Sequence, residues 1–365
     1  MRIAVDANEA FRPRLVGFGV YARNLVCHFS SLAPEEELFY LGIRAQEMDT
    51  TCAPPGRLRL LRSPKYRSLW SQMRLPLHLC RQRYDLFHSL EHKLPWAACC
   101  PTVVTIHDLG FLKFPELVPA LHRERFNWFT RDAVRRATRI IAISESTRRD
   151  ICESFPAAGE KIEVVHHGVD HSVYRPGVQP AGSAAPYVLA VGTIHPRKNY
   201  SLLIRAFKRL CGAWPKEIEL HIVGKRAWMW EGIEEEARKP PYAERIRFLG
   251  YVTDEQMPGL YAGATLFAMP SLHEGFGIPA LEAMACGVPV VAARASSLPE
   301  VVGDAALLLD PGDEGGWADA LRELLGSPER MDAMRRRGLA RAAGFSWERT
   351  ARETLACRWR KAKPG

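Results

Sequence analysis

Two glutamates lie on either side of a glycine-rich loop in the stretch SLHEGFGIPALEAMACGVPVV, residues 271–291. Glu274 comes directly before a Gly-Phe-Gly loop that contains Gly275 and Gly277, and Glu282 lies eight positions further along the chain. The apolar residues around the loop predict a strand, the loop, a helix and a second strand. The sequence therefore indicates two carboxylates carried by one βα unit, with flexible backbone between them.

Glycines before a helix allow backbone N–H groups to turn toward a ligand at the positive end of that helix. Beside these donors Glu274 is expected to stay ionised and to accept hydrogen bonds from two hydroxyls. Glu282 is expected about two turns into the helix, further along the same wall. A ligand with hydroxyls at both ends and phosphate in the middle fits this arrangement, and a nucleotide sugar is such a ligand. The alternative is a tight βα loop with two surface glutamates.

A third candidate, His107, ends the apolar stretch TVVTIHD at residues 102–108. Side chains beyond the carboxyl end of a parallel strand are placed to line a binding cleft. The alternative is a core histidine with satisfied hydrogen bonds, and Asp108 could either orient it or cap the next segment. His166 and His167 are adjacent in the sequence, so they are expected to face opposite sides of a strand and not to form a metal site together.

Short apolar runs alternate with helical patterns along the whole chain, and these elements must position the candidate residues. Continuous apolar runs between amphipathic helices are typical of parallel strands that are buried on both faces. The runs lie at residues 2–7, 85–90, 102–108, 139–144 and 162–168, and then at 187–192, 218–224, 246–252, 264–271, 289–293 and 305–310. A segment rich in Pro, Gly, Ala and Ser separates the two series.

The length of 365 residues exceeds the usual size of a single core. We therefore predict an α/β protein with two doubly wound Rossmann-like domains that face a central cleft. The N-terminal domain is predicted over residues 1–176 and the C-terminal domain over residues 187–345. Residues 177–186 are the predicted linker, and residues 346–365 follow the last helix of the second domain.

The composition excludes several classes of protein. The first residues, MRIAVDANEAF, contain acidic side chains where an export signal would need an apolar run. The longest weakly polar run, residues 94–106, is too short to span a bilayer. The nine cysteines include no C-x-x-C pair, so neither a disulfide framework nor a zinc site is indicated. A reducing cytoplasm fits this composition best.

The net charge of +9 is unevenly distributed. No acidic residue lies between Asp49 and Asp85, while eight basic residues lie there among Trp, Met and Leu side chains. A second stretch, residues 121–139, repeats this mixture of basic and aromatic residues. We favour a surface attracted to anionic lipid. The alternatives are two solvated helices whose aromatic residues face the core, and a nucleic-acid patch, which we expect least.

The segment 271–291 resembles the E-x7-E signature of glycosyltransferase family 4, a family of retaining enzymes with the GT-B fold. The resemblance continues over nearly the whole chain and in the order of the family. The matching stretches are GFGVYARNL (17–25), TIHDL (105–109), IAISESTRRD (141–150), HHGVD (166–170), VGTIHPRKN (191–199) and LGYVTDEQMPGLYAGA (249–264). The resemblance also implies that the C-terminal helix crosses back to the first domain.

The resemblance implies roles for the charged residues. Glu274 would hold the hydroxyls of the donor sugar, and Glu282 would take the ribose hydroxyls. Lys198 falls where the family has a pyrophosphate-binding lysine. Thr193 stands where the family often has an arginine, so Arg197 would supply that charge. Preorganised cations at this point would stabilise the leaving diphosphate as the glycosidic bond breaks. The alternative for Lys198 and Arg197 is a solvated loop.

The remaining implied site residues act through backbone or through a ring. His107 would contact the donor sugar near the reaction centre as a second catalytic residue beside Glu274. The glycines before the first helix, expected to start near Val20, would approach the diphosphate or the sugar; taken alone they indicate only a tight turn. The backbone contacts to the donor would come from Gly17, Gly19, Val252, Gly275, Phe276 and Gly277.

The resemblance implies a retaining hexosyltransferase that works by front-face displacement, with GDP-mannose as the first choice of donor and UDP-glucose or UDP-N-acetylglucosamine as the second. The implied acceptor is a glycan or a lipid-linked glycan in bacterial cell-surface polysaccharide assembly. No D-x-D occurs in the sequence, so we expect a metal-independent enzyme without a cofactor. We expect it at the inner face of the membrane and not on nucleic acid. The rivals are a nucleotide-sugar epimerase and a non-catalytic membrane-binding scaffold of the same fold.

Overall fold

The protein is described here from a computed structural model. The described residues are 1–12, 15, 17–33, 36–43, 49–53, 57–61, 70–183 and 185–359. The chain forms two compact units. The first unit contains Met1–Leu112, Ala120–Gly168 and the segment that begins at Trp347, and the second contains Lys113–Pro119 and Val169–Ser346.

The first unit is built on a parallel sheet. Among the described residues its strands follow the order β3-β2-β1-β4-β5-β6-β7. The strands are β1 (Arg2–Asp6), β2 (Glu37–Ile43), β3 (Leu58–Leu61), β4 (Leu86–Ser89), β5 (Thr102–Ile106), β6 (Arg139–Ala142) and β7 (Ile162–Val164). Every residue of β4 and β5 is buried, as expected for central parallel strands with helices on both faces.

The helices of the first unit lie between these strands. They are α1 (Phe18–Leu32), a π-helical turn (Trp70–Arg74) that continues into α2 (Leu75–Gln82), the short turn α3 (Gly110–Lys113), α4 (Ala120–Arg136) and α5 (Glu145–Ser154). The C-terminal helix (Trp347–Trp359) packs against α1. Thr350 Oγ1 on this helix donates a hydrogen bond to the carbonyl of His166 at 2.8 Å, which ties the chain end to the loop after β7.

The second unit also has a parallel sheet, with the strand order β10-β9-β8-β11-β12-β13 among its described residues. Its strands are β8 (Tyr187–Val191), β9 (Glu219–Val223), β10 (Ile246–Gly250), β11 (Leu266–Met269), β12 (Val290–Ala293) and β13 (Leu307–Leu309). Its helices are α6 (Tyr200–Ala213), α7 (Glu231–Arg238), α8 (Met257–Gly263), α9 (Ile278–Ala285), α10 (Leu298–Val302), α11 (Glu314–Leu325) and α12 (Pro328–Ala342).

The strand orders confirm the prediction of an α/β chain with two doubly wound sheets. In the second sheet β8 lies between β9 and β11, so the direction of winding changes between β8 and β11. Ligands of such sheets bind beyond the carboxyl ends of the strands at this switch point. The loops that follow β8 and β11 carry Lys198 and Glu274, so the topology alone brings these two loops together.

Several predicted boundaries differ from the structure. The strand predicted over residues 162–168 ends at Val164, so the prediction that His166 and His167 face opposite sides of a strand is wrong. The strand predicted to end at 252 ends at Gly250, where φ is 68° and any side chain would be strained. Residues 169–176 and the predicted linker 177–186 belong to the second unit.

The helix ends shift by smaller amounts. The first helix begins at Phe18 and not near Val20. The helix that follows the Lys198 loop spans Tyr200–Ala213. Glu282 lies in the second turn of α9, about one turn from its start, because the helix begins only at Ile278.

Cys80 at the end of α2 and Cys99 before β5 form a disulfide, so the prediction that no cysteines pair is wrong for these two. Sequence spacing could not reveal the pair, because the two residues meet only when the chain between them folds back to form β4. In the described part of the chain, no helix combines the length and the apolar character needed to cross a membrane.

Candidate active site

The loop that carries Glu274 connects β11 to α9. Gly277 lies immediately before the helix with φ of 110°, a conformation that side chains rarely adopt. A Cβ added at Gly277 would also lie 2.8 Å from Leu298 Cδ2. Glu274, Gly275 and Phe276 are buried. A glycine is therefore required at this point for the chain to turn from the strand into the helix.

Two serines from another part of the sheet hold the backbone of this loop. Ser297 Oγ donates to the carbonyl of Glu274 at 2.9 Å and to that of Phe276 at 2.8 Å. Ser296 Oγ also donates to the Glu274 carbonyl, and it accepts a bond from the Glu274 N–H at 3.1 Å. Both serines lie between β12 and α10. Neither serine was predicted as a site residue, and only their position after a buried strand could have indicated a role.

The Glu274 carboxylate forms an ion pair with Lys198, whose Nζ lies 2.5 Å from Oε1. Burial by itself would raise the pKa of Glu274. The charges of Lys198 and Arg197 and hydrogen bonds from Lys198 and Ser271 outweigh that effect, so the pKa lies below its ordinary value. The structure therefore gives a buried carboxylate that is ionised at neutral pH, as the sequence analysis expected.

Backbone and side-chain contacts join the two loops at the switch point. Arg197 Nη1 donates to the carbonyl of His273 at 3.0 Å, and the N–H of Leu272 donates to the carbonyl of Arg197 at 2.9 Å. Asn199 Nδ2 donates to the carbonyl of Pro311 at 2.8 Å. The guanidinium and ammonium groups after β8 are thus fixed beside the Glu274 loop and do not lie on a solvated loop.

His195 was not identified from the sequence, yet it orders the same loop. Its Nδ1 accepts a hydrogen bond from the N–H of Arg197 at 3.1 Å, and its Nε2 lies 3.1 Å from the carbonyl of Leu117. These partners require the neutral tautomer with the proton on Nε2. Burial lowers the pKa of His195, which favours this neutral form. Thr193, nearby on the same loop, is exposed.

Glu282 lies in a separate cluster with two tyrosines. Tyr261 donates a hydrogen bond to Glu282 Oε2 at 2.7 Å, and Tyr174 packs edge-on against the ring of Tyr261 with centroids 5.7 Å apart. Burial raises the pKa of Glu282 to about 7, and the charge of Asp254 adds to this, while the tyrosine hydroxyls act in the opposite direction. Glu282 and Glu274 thus have different partners, a tyrosine hydroxyl for the first and the Lys198 ammonium for the second.

Three further residues predicted from the sequence lie at the ends of a strand or a helix. Val252 is half-buried and lies just beyond the end of β10. Gly17 lies directly before α1 with φ of 52° and is exposed, whereas Gly19 in the first turn of α1 is buried. A Cβ on Gly19 would lie 3.4 Å from the carbonyl oxygen of Glu9, so the helix approaches the loop after β1 closely.

His107 lies directly after β5 and is buried. Its Nε2 lies 2.9 Å from the carbonyl of Leu90, and its backbone N–H donates to Nε2 of His92 at 3.0 Å. Burial lowers the pKa of His107 to about 4, and the neighbouring His92 contributes to this. The imidazole is therefore neutral, with its proton on Nε2. Asp108 accepts a hydrogen bond from the N–H of Gly110 at 2.8 Å, so it caps the next turn.

Aromatic rings from α1 and from the loops after β4 and β7 surround His107. The ring centroids of Phe18, Tyr21, His92 and His167 lie 5.3, 5.0, 5.6 and 5.8 Å from that of His107. Phe18 is 44% exposed although it belongs to this group. The glycine loop before α1 and His107, singled out separately in the sequence, therefore lie at one place in the first unit.

In the described residues, no group of three or more His, Cys, Asp or Glu side chains is placed to hold a metal ion. Independence from metal stays a prediction, because a substrate diphosphate could itself bring an ion to the site.

The family is established by comparison with known proteins. The model described as "Glycosyltransferase Family 4" matches residues 17–173, and the model described as "Glycosyl transferases group 1" matches residues 185–327. The O-antigen chain mannosyltransferase B of Escherichia coli is 31% identical over 384 residues, which cover 96% of this chain and 98% of that protein. The chain therefore belongs to glycosyltransferase family 4 and is an enzyme that transfers a sugar.

Solved structures show the same fold. A sucrose-phosphate synthase from Thermosynechococcus elongatus aligns with a TM-score of 0.78 at 19% identity and covers 98% of both chains. Anabaena Alr3699/HepE, solved in complex with UDP-glucose, aligns with a TM-score of 0.71 at 20% identity over 98% of this chain and 99% of that one. At these identities the likeness establishes the GT-B fold and nothing about the ligand.

Proposed function

We propose that the protein is a retaining glycosyltransferase that moves a hexose, in the first place mannose from GDP-mannose, onto a glycan or lipid-linked acceptor in cell-surface polysaccharide assembly. The observation that carries this proposal is the buried Glu274–Lys198 ion pair at the switch point of the second sheet. The O-antigen mannosyltransferase relative supports the choice of sugar and of pathway.

In this proposal the ion pair holds two groups ready for different parts of the donor. Lys198 and Arg197 bind the diphosphate, and Glu274 accepts hydrogen bonds from the sugar hydroxyls together with amides of Gly275, Phe276 and Gly277. The serine contacts to the Glu274 backbone fix the loop before the donor arrives. Catalysis gains because the charges that face the leaving group need no rearrangement in the transition state.

The transfer itself is a front-face displacement. The bond between the anomeric carbon and the diphosphate oxygen breaks, and the acceptor oxygen forms a bond to that carbon on the same face. The acceptor hydroxyl proton passes to the leaving phosphate oxygen, so no enzymatic base is needed. His107, being neutral, contributes a hydrogen-bonding group near the sugar and does not carry charge.

Glu282 takes the ribose hydroxyls of the nucleotide in this scheme, and the backbone at Val252 contacts the base. Tyr261 and Tyr174 keep the Glu282 carboxyl in place. The ionised carboxylate has acceptors on both oxygens and can take both hydroxyl hydrogen bonds, whereas the protonated form uses one oxygen as a donor. The raised pKa of Glu282 makes this ionisation depend on pH near neutrality.

The donor is tested with a panel of nucleotide sugars. Purified protein is mixed with GDP-mannose, UDP-glucose or UDP-N-acetylglucosamine, and donor hydrolysis and thermal stabilisation by GDP and UDP are measured. Stabilisation and hydrolysis restricted to the GDP donor support the proposal. Restriction to UDP donors favours the second candidate, a UDP-sugar transferase. No response to any of the three nucleotide sugars would exclude all of them as donors.

We further propose that the enzyme works at the inner face of the membrane, because a lipid-linked acceptor stays in that leaflet. The basic stretches of residues 50–84 and 121–139 supply the electrostatic attraction to anionic lipid. Arg74 and Arg81 are exposed on this surface, and Arg67 of the same stretch lies outside the described residues.

A further inference from the structure

Trp96 is 64% exposed, in the loop between β4 and β5 of the first unit. Single exposed apolar side chains are common on protein surfaces. The contacts around Trp96 therefore decide whether its exposure indicates a binding surface.

The backbone around Trp96 is held from two sides. The N–H of Trp96 donates to Gln72 Oε1 at 2.8 Å, and Gln72 Nε2 donates to the carbonyl of Leu94 at 3.3 Å. Arg136 donates to the carbonyl of Pro95 at 2.8 Å and to that of Trp96 at 3.1 Å. The indole is thus presented by anchored backbone, and its exposure is not that of a loose loop tip.

Further exposed apolar side chains lie on the helical segments that carry the two anchoring residues, Gln72 and Arg136. Met73 follows Gln72 directly and is 61% exposed, and Trp128, two turns before Arg136 on α4, is 49% exposed. Leu77 lies one turn after Met73, and Leu121 lies two turns before Trp128; both are exposed as well. We call this set the Trp96 surface: Met73, Leu77, Trp96, Leu121 and Trp128.

The charges beside the Trp96 surface are basic. Arg74 and Arg81 are exposed on either side of Leu77 in the sequence, and neither has a carboxylate partner among the described residues. A concavity of about 250 Å³ next to them is lined by Leu61, Arg74, Leu77, His78, Arg81 and Gln82. Exposed aromatic and apolar groups beside guanidinium groups are suited to the interface of an anionic bilayer. There the apolar groups leave water, and the guanidinium groups lie near the anionic headgroups.

We propose that the Trp96 surface inserts into the interface of an anionic phospholipid bilayer, with Trp96 as the apolar anchor. This inference rests on the proposed work at the membrane and goes beyond it. Electrostatic attraction alone holds a protein at the surface and is screened by salt. An inserted tryptophan adds a contribution that salt does not screen.

The test measures flotation with vesicles of phosphatidylcholine alone and of phosphatidylcholine mixed with phosphatidylglycerol, at low and at high salt. Wild type is expected to bind the anionic vesicles and to keep part of this binding at high salt. Trp96→Ala is expected to weaken binding about ten-fold, the value of one large apolar side chain removed from water, and to lose the salt-resistant part. Gln72→Ala, which removes an anchor of the loop but leaves the indole, is expected to act in the same direction.

Trp228→Ala is the matched control, because Trp228 is 39% exposed but belongs to the second unit; it should bind vesicles like wild type. Thermal stabilisation by GDP or UDP should be the same in all three variants. A variant that has lost nucleotide binding is thereby distinguished from one that has lost only vesicle binding. Binding of Trp96→Ala equal to wild type at both salt concentrations would overturn the proposal. The proposal would also be overturned if the wild type were a dimer and Trp96→Ala dissociated this dimer without any change in flotation. The Trp96 surface would then be the interface with a second copy of the chain.

Discussion

The affinity for the donor nucleotide should depend on pH through Glu282. The carboxyl has a pKa raised to about 7 by burial, so about half of it is ionised at pH 7 and about 3% at pH 5.5. If only the ionised form accepts both ribose hydroxyls, the dissociation constant rises as the reciprocal of the ionised fraction. Relative to high pH, the affinity should then fall about two-fold at pH 7 and about 30-fold at pH 5.5.

The strength of the hydrogen bonds limits this effect. A charge-assisted hydrogen bond contributes about 1.5–3 kcal/mol, a factor of about 10–150 in affinity. Glu282→Gln keeps the shape of the side chain but cannot titrate, so it should bind at high pH about 10–150-fold more weakly than wild type. Its affinity relative to wild type should approach unity as the pH falls.

Isothermal titration with GDP and UDP between pH 5.5 and 8.5 measures both profiles. The phosphates of the nucleotide also titrate in this range, but they do so equally for wild type and for Glu282→Gln, so the ratio of the two constants isolates Glu282. A ratio that stays constant with pH would refute the assignment of the titrating carboxylate to the ribose.

The stability of the nucleotide-free protein gives a second measure of the same group. Because the pKa of Glu282 is higher in the folded than in the unfolded protein, its stabilising contribution is present below the unfolded pKa and is lost as the pH rises through about 7. Wild type should therefore lose stability relative to Glu282→Gln between pH 5 and pH 8. Thermal unfolding of both proteins at the two pH values measures this difference.

Glu274→Gln should abolish transfer with little change in nucleotide affinity, and wild-type turnover in this variant would remove Glu274 from the reaction. Tyr261→Phe removes a hydrogen bond that favours the ionised form of Glu282, so the pH profile of nucleotide binding should move to higher pH while kcat changes little. EDTA should leave transfer by pure protein unchanged, and inhibition reversed by magnesium would contradict metal independence. Reversal of three arginines to glutamate should reduce vesicle binding and transfer to membrane-bound acceptor, yet spare a short water-soluble analogue; the three are Arg67, Arg74 and Arg81.

The general organisation of the chain could be predicted from its sequence because parallel strands leave a local signal. Each central strand is buried on both faces and reads as a short apolar run, and the loop after it begins where the run ends. The meeting of the Lys198 and Glu274 loops follows from the strand order of a doubly wound sheet. Strand ends were harder to predict, because Val165 continues the apolar pattern beyond Val164, where the strand ends.

The contacts that complete the site could not be predicted, because they join distant parts of the chain. Ser297 supports two carbonyls of the Glu274 loop from beyond the next strand. Tyr174, which lies before β8 in the second unit, belongs to the cluster of Glu282. Neither residue belongs to a motif with spacing of its own, and each is recognised only when the sheet places it beside a glutamate.

Glu274 and Glu282 show most clearly what a motif leaves undetermined. Both are glutamates on one βα unit, and the pattern E-x7-E treats them alike. The cations Lys198 and Arg197 outweigh the burial of Glu274 and lower its pKa. At Glu282, burial outweighs the hydrogen bonds from the hydroxyls of Tyr261 and Tyr174, and the charge of Asp254 adds to burial, so the pKa rises. The two cations come from the loop after β8, more than seventy positions earlier in the chain, so the charge of each carboxylate is a property of the fold. One glutamate therefore stays ionised beside the proposed sugar, while the other can gain or lose its proton near neutral pH as the nucleotide binds.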